Sequence, residues 1–141
     1  MANDQRWHMR IGEVAELTGL PLRSIRHYED AGLVAPSACS RGGLHLYTPA
    51  DVERLGVVRR MRRLEFTLDE IRELLGIVDR IAVVDDPPGD EELETLRARL
   101  EVYRRTVDTR CAVLGARLRE AEDFAATLRA VADHLDHDRV G

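Results

Sequence analysis

Apolar side chains at Ile11, Val14, Ala15 and Leu17 recur at helical spacing and stop at Gly19, so a short helix is predicted there. Pro21 suits the first turn of a second helix, because its missing N–H is one a helix start leaves unpaired anyway. That helix is predicted to reach about Ala31, with Gly32 as its stop. Leu22 and Ile25 are expected to face inward, leaving Arg23, Ser24, Arg26 and His27 on the other side. Two short helices joined by a tight Thr18-Gly19 turn have the form of a helix-turn-helix. Pro36, two serines and Gly42-Gly43 then mark a loop, and Leu44, Leu46 and Tyr47 flank His45 in a β-like pattern. The segment reads as a small hairpin, a wing.

Thr48-Pro49-Ala50-Asp51 is a helix start, with a hydroxyl cap, a proline at the first position and an acid three residues after the cap. The third helix carries Val52, Leu55, Val58, Met61 and Leu64 on one face and Arg54, Arg59, Arg60, Arg62 and Arg63 elsewhere. Thr67 to Glu70 is a capping box that opens a fourth helix through Ile71, Leu74, Leu75 and Val78. In "VDDPPGDEE" two prolines and a glycine end helical structure, and the acids beyond favour a new helix start. From Glu91 to about His134 only Gly115 interrupts the helical pattern. Leu93, Leu96, Leu100, Tyr103, Val107, Cys111, Leu114, Leu118, Ala121, Ala125, Leu128, Ala132 and Leu135 alternate steps of three and four, with a stutter at Cys111. Such a rod is roughly 65 Å long. One stripe of this kind calls for a partner helix, and a homodimer is expected; the other arrangement is a helix folded back on its own domain.

Composition sharpens this outline. With 141 residues there is room for one domain, or a small domain with a helical appendage. Aromatics at 4% argue against a large β core, and 33% charged residues favour exposed helices. No run approaches the ~18–20 apolar residues of a membrane span, so no membrane partner is expected. Two cysteines 72 positions apart and a start, "MANDQRWHMR", without a secretory pattern point to a reducing, cytoplasmic setting. The net charge of −5 hides an asymmetry, since residues 1–63 hold ten arginines against seven acidic residues and residues 64–141 hold eleven against nineteen. A basic front with an acidic back suggests that only the front meets a polyanion.

The stretch "RIGEVAELTGLPLRSIRHYEDAGL", followed by "GGLHLY" and "FTLDEIRELL", resembles the DNA-binding domain of the MerR family of bacterial transcriptional regulators, from Met9 through Leu75. The resemblance implies a mainly α fold: a winged helix-turn-helix DNA-binding domain followed by a long coiled-coil dimerisation helix. The expected organisation is 9–78 for the DNA-binding domain, 79–90 for a linker, 91–135 for the dimerisation helix and 136–141 for a flexible tail. It further implies a homodimer on a pseudo-palindromic promoter operator, which it bends or untwists, with RNA polymerase addressed indirectly.

Arg23, Arg26, His27 and Tyr28 match recognition-helix positions that touch bases and phosphates in relatives, and Arg10 and Ser24 join them as candidates. Arginine reads guanine bidentately or clamps phosphate, which agrees. Tyr28 is equally suited to filling the core. Arg41 and His45 match wing positions, Tyr47 packs the wing, and Arg59 and Arg62 are either phosphate contacts or solvated surface. Leu93, Leu96, Leu100, Tyr103, Val107, Cys111, Leu114, Leu118 and Leu128 are the expected dimer interface. The chain departs from the family where His27-Tyr28 replaces two tyrosines, Leu44-His45 replaces Tyr-Arg, Pro21 replaces a serine and Glu65 replaces a glycine. Histidine at the wing makes phosphate binding there weaker or pH-sensitive.

Family metal sensors carry cysteines at the start of the long helix and in a loop after it, whereas this chain has Cys39 and Cys111. A thiolate-rich site or an iron–sulfur cluster therefore lacks ligands, and no cofactor is expected. Cys111 is read as a small inward residue, with a redox role as its alternative; His134 and His137 amid three aspartates form a weaker metal candidate. With no room expected after the long helix for a drug-binding domain, an unidentified small-molecule effector would bind between coiled coil and heads. Catalysis is not expected, because no nucleophile–base pair, carboxylate pair or phosphate loop stands out. A coiled-coil protein-interaction module is the remaining alternative.

Overall fold

The computed structural model describes residues 8–36, 38–40 and 42–140. Two strands and two helices open the chain, with β1 at Met9–Arg10, α1 at Ile11–Thr18, α2 at Leu22–Asp30 and β2 at Ala38–Cys39. β3 at His45–Tyr47, α3 at Pro49–Arg63, α4 at Leu68–Ala82 and α5 at Asp90–Val140 follow. The chain divides into two compact units, residues 1–100 and 101–141. Among the described residues no helix is long and apolar enough to cross a membrane.

Local chemistry sets the turns of the first unit. Gly19 ends α1 at φ 70°, its N–H returning to the Ala15 carbonyl at 2.9 Å. The buried Thr18 hydroxyl donates to the Val14 carbonyl at 2.7 Å and accepts from the Leu20 N–H at 3.3 Å, which pins the turn into α2. Pro21 stands at the cap of α2 rather than inside it, its carbonyl accepting the Ser24 and Ile25 N–H groups. At the other end Gly32, at φ 77°, bonds to the Glu29 carbonyl and Leu33 to the Tyr28 carbonyl. This is a Schellman stop, closed by the buried pair Tyr28 and Leu33.

The same device ends α3, with a different residue at its hinge. Glu65 N–H bonds to the Arg62 carbonyl at 3.0 Å and Phe66 N–H to the Met61 carbonyl at 3.1 Å, so Glu65 takes the left-handed position at φ 66°. Phe66 and Met61, both buried, supply the apolar contact. Thr48 with Asp51, and Thr67 with Glu70, form the two capping boxes that the sequence announces.

The hairpin of β2 and β3 pairs Ala38 with Leu46 and Cys39 with His45, and β1 adds a third antiparallel strand, Met9 opposite Tyr47. Val14, Ile25, Tyr47, Leu55, Val58, Phe66 and Ile71 form the fully buried centre. Two expected core residues lie elsewhere. Leu22 is 43% exposed, because it sits one turn before Arg26 on the polar flank of α2. In α4 the inward row takes the three-residue step from Leu74 to the buried Ile77, leaving Val78 exposed.

Long arginines tie these elements together. Arg54 on α3 donates through Nε to the Leu33 carbonyl at 2.6 Å and through Nη1 to Asp79 of α4 at 2.7 Å. Arg80 on α4 donates to the Asp86 carbonyl at 2.7 Å and to Glu92 of α5 at 3.0 Å, spanning a linker that covers 83–89 rather than 79–90.

The second unit is helical from Glu101 to Val140, so residues 136–140 continue the helix where a tail was expected. Arg104 and Arg105 pair with Glu101 and hold its carboxyl down at about 2. Leu114, Leu118, Phe124, Leu128, Val131 and Leu135 are all exposed.

Glu65 is the one non-glycine residue at positive φ among those described. Glu65→Gly removes the left-handed penalty at the expense of a more flexible unfolded chain, for a net gain of about 0.5–1 kcal/mol. Thermal or denaturant melts of the two proteins check this, and an unchanged or lower midpoint would show that the penalty is already relieved.

Candidate nucleic-acid interface

α2 is built as a two-sided helix. Ile25, with no exposure, and Tyr28, at 8%, anchor it from below, while Arg23, Arg26, His27 and Asp30 are exposed and Ser24 is half-buried. The structure thus gives Tyr28 to the core, where it packs with Leu33 at the Schellman stop and meets the His27 ring at a centroid distance of 5.9 Å. The exposed guanidiniums of Arg23 and Arg26 stand on a helix held at both ends.

Beside α2 lies the wing. His45 on β3 reaches across to Glu29 of α2, with Nδ1 to Oε1 at 2.7 Å. The Glu29 side chain is 9% exposed and the His45 side chain 51%, so a nearly buried carboxylate holds one edge of a half-exposed imidazole. Tyr47 lies fully buried below them. Its hydroxyl lies near Glu29 without meeting hydrogen-bond geometry. Burial, and then the Glu29 carboxylate, push the Tyr47 phenol far up, so it stays neutral.

A cleft of about 650 Å³ opens here, lined by Arg10, Glu13, Arg26, Glu29, His45 and Tyr47 among others. The start of α1, Ile11 and Gly12, also lines it, and no side chain caps that helix. Unpaired N–H groups and a positive dipole end favour an anion at such a place. Arg10, Arg26 and His45 therefore line one cleft. Arg41 lies outside the described residues.

Two other candidates, Arg59 and Arg62, stand beside turns of the first unit. Arg62 donates from Nη1 to the Phe66 carbonyl at 3.0 Å and braces the turn into α4. Arg59 is half-buried, and its guanidinium lies so close to the α1–α2 turn that a Cβ at Gly19 would stand 3.3 Å from Nη2. Sequence reasoning missed Glu29 as the wing's partner and Arg54 as a clamp, since their partners lie 16 to 25 residues away.

Of the expected dimer positions, Leu96 at 8% and Tyr103 at 9% are already buried within the single chain. Leu96 belongs to the first compact unit, which explains its cover. Leu93 and Val107 are half-buried, whereas Leu100, Cys111, Leu114, Leu118 and Leu128 are exposed. Cys111 is thus exposed rather than packed inward in this chain. His134 faces Asp138 at 3.6 Å, and among the described residues no three His, Cys, Asp or Glu side chains are grouped to hold a metal.

Two family models match, one described as MerR HTH family regulatory protein over residues 9–76, the other as MerR, DNA binding over residues 52–106. The transcriptional regulator HmrR of Rhizobium leguminosarum bv. viciae is 33% identical over 92% of this chain and 84% of its own. Nodulation protein NolA of Bradyrhizobium elkanii is 38% identical over 70% of this chain; the chain spans about half the length of several such relatives, 46% for NolA. The solved structure of HiNmlR, a MerR family regulator lacking the sensor domain and bound to promoter DNA, shares the fold at 19% identity. That likeness has a TM-score of 0.62 and covers 84% of this chain and 88% of HiNmlR.

The contact of Arg62 with the Phe66 carbonyl makes a brace distinguishable from a DNA contact by substitution. Arg62→Ala is expected to lower the unfolding free energy by about 1 kcal/mol, since the Phe66 carbonyl loses its donor. A melt unchanged within error, with weakened DNA binding, would reverse that assignment.

Proposed function

This chain belongs to the MerR family of DNA-binding transcriptional regulators, which are not enzymes, and from that premise we propose that it reads a pseudo-palindromic promoter operator as a homodimer. One observation carries the proposal. The exposed Arg23, Arg26 and His27 stand on a clamped short helix next to a wing, with the cleft of Arg10 and His45 between them.

A helix of this size fits the major groove, where arginine can take the O6 and N7 acceptors of guanine. The wing and the start of α1 would take flanking phosphates, which fix register without reading sequence. Arg59 and Arg62 would act behind this surface by holding the turns that present it. A single head offers few contacts; two heads on one duplex multiply their affinities through effective concentration. The exposed apolar row of Leu114, Leu118 and Leu128 supports a second helix as the device that pairs them. Bending or untwisting the operator would then reach RNA polymerase through the DNA itself, and an effector would act by favouring one DNA geometry over the other.

Footprinting on the DNA upstream of the chain's own coding region tests the proposal, with two protected half-sites related by a dyad as the expected result. Protection that ignores sequence would overturn it. Arg23→Ala and Arg26→Ala should each weaken operator binding by about 1–3 kcal/mol while the melting curve stays unchanged. Leu114→Asp is expected to yield monomers in sedimentation and to lose most operator affinity. A dimeric Leu114→Asp protein would place the interface elsewhere.

A further inference from the structure

We propose that His45 is a proton-dependent phosphate ligand, so that operator binding takes up protons at the wing. The inference rests on the DNA-binding reading above and adds to it a titrating group.

The chemistry follows from a single contact. Nδ1 of His45 lies 2.7 Å from Oε1 of Glu29, and an ionised carboxylate can only accept a hydrogen bond. The proton of a neutral His45 is therefore fixed on Nδ1, and Nε2 is left as a bare lone pair. A bare lone pair repels a phosphate oxygen. Only the imidazolium carries a second N–H, and it is the one form that donates to Glu29 and to a phosphate at the same time. Half of the His45 side chain is open to solvent, which leaves room for that second partner.

The surroundings favour this use. Arg10 of β1 and Arg26 of α2 line the same cleft and draw a phosphate into it, as does the uncapped start of α1. Glu29 and Asp30 of α2 and Glu13 of α1 also line it and compensate the imidazolium's charge. Tyr47 beneath stays protonated, so it neither adds charge nor competes for the proton. A phosphate approaching His45 adds a second negative partner, so the bound state favours the imidazolium. Linkage then sets the sign: the complex holds more protons than the free protein, so affinity falls as pH rises.

The test measures binding of the upstream DNA fragment at constant ionic strength between about pH 6 and pH 8.5. Wild-type affinity is expected to fall by roughly tenfold or more across that range. His45→Arg, charged throughout, should hold the low-pH wild-type affinity with a flattened profile. His45→Gln should be equally flat at the high-pH wild-type level. His27→Gln, at the other exposed histidine of this face, should bind more weakly yet keep the slope. Circular dichroism melts confirm that each variant is folded. Specific binding indifferent to pH, or a His45→Arg protein that keeps the wild-type slope, overturns the inference and leaves the regulator intact. Absence of specific binding at every pH overturns the proposed function and the inference together.

Discussion

Nine residues of α2 cannot stay helical in water by themselves, because an isolated helix shorter than about 12–15 residues is marginal at best. Everything that α2 presents to solvent depends on what clamps it. Ile25 and Tyr28 bury its underside, the Thr18 hydroxyl locks the turn ahead of it, and Gly32 with Leu33 seals the turn behind. Arg54 then fastens the Leu33 carbonyl to α3 and, through Asp79, to α4. Helices α3 and α4 thus act as the vice in which α2 is held. An arginine row on a loosely held helix would lose its binding energy to the ordering of its own backbone.

Charge is arranged on the same scaffold. The protein as a whole is acidic, yet its first 63 residues carry an excess of arginine, and Glu29, one of the two glutamates lining the cleft, is occupied by His45. Glu29 would repel a phosphate if it stood free in the cleft. Its pairing with His45 turns that liability into a fixed orientation for the ring. The carboxylate is nearly buried, where an unpaired charge is expensive, so the contact is retained for the benefit of α2 as well as of the wing.

What could be read from the amino-acid order alone divides along sequence separation. The two capping boxes, the Gly19 and Gly32 stops and the long helix all rest on residues within four or five positions of each other, so they were legible. The pairing of β1 with β3 was not, because Met9 and Tyr47 are distant in the chain and each strand is too short to show alternation. Arg54 and His45 appear in the sequence only as cations; their partners are one carbonyl and two carboxylates 16 to 25 positions away, which no local pattern marks. Periodicity likewise could not distinguish Leu96, covered within its own chain, from Leu118, which is bare. Both occupy the same stripe. Only the packing of the first unit separates them.

That separation narrows what a partner has to cover. Leu96 and Tyr103 keep little surface for a second molecule, so the proposed dimer would draw its contacts mainly from the more exposed positions of the stripe. Leu114, Leu118, Leu128 and Leu135 are each between 44% and 61% exposed, at steps that return to one face. Phe124 and Val131 widen that face on one side, beyond the narrow seam of a two-stranded coil. Each apolar side chain of this size gains about 1.5–3 kcal/mol when fully buried, so a matching row from a second copy would exceed the penalty of association only if most of the row engages at once. Pairing through this stretch would therefore be cooperative, while Glu101, Arg104 and Asp108 satisfy one another along the helix.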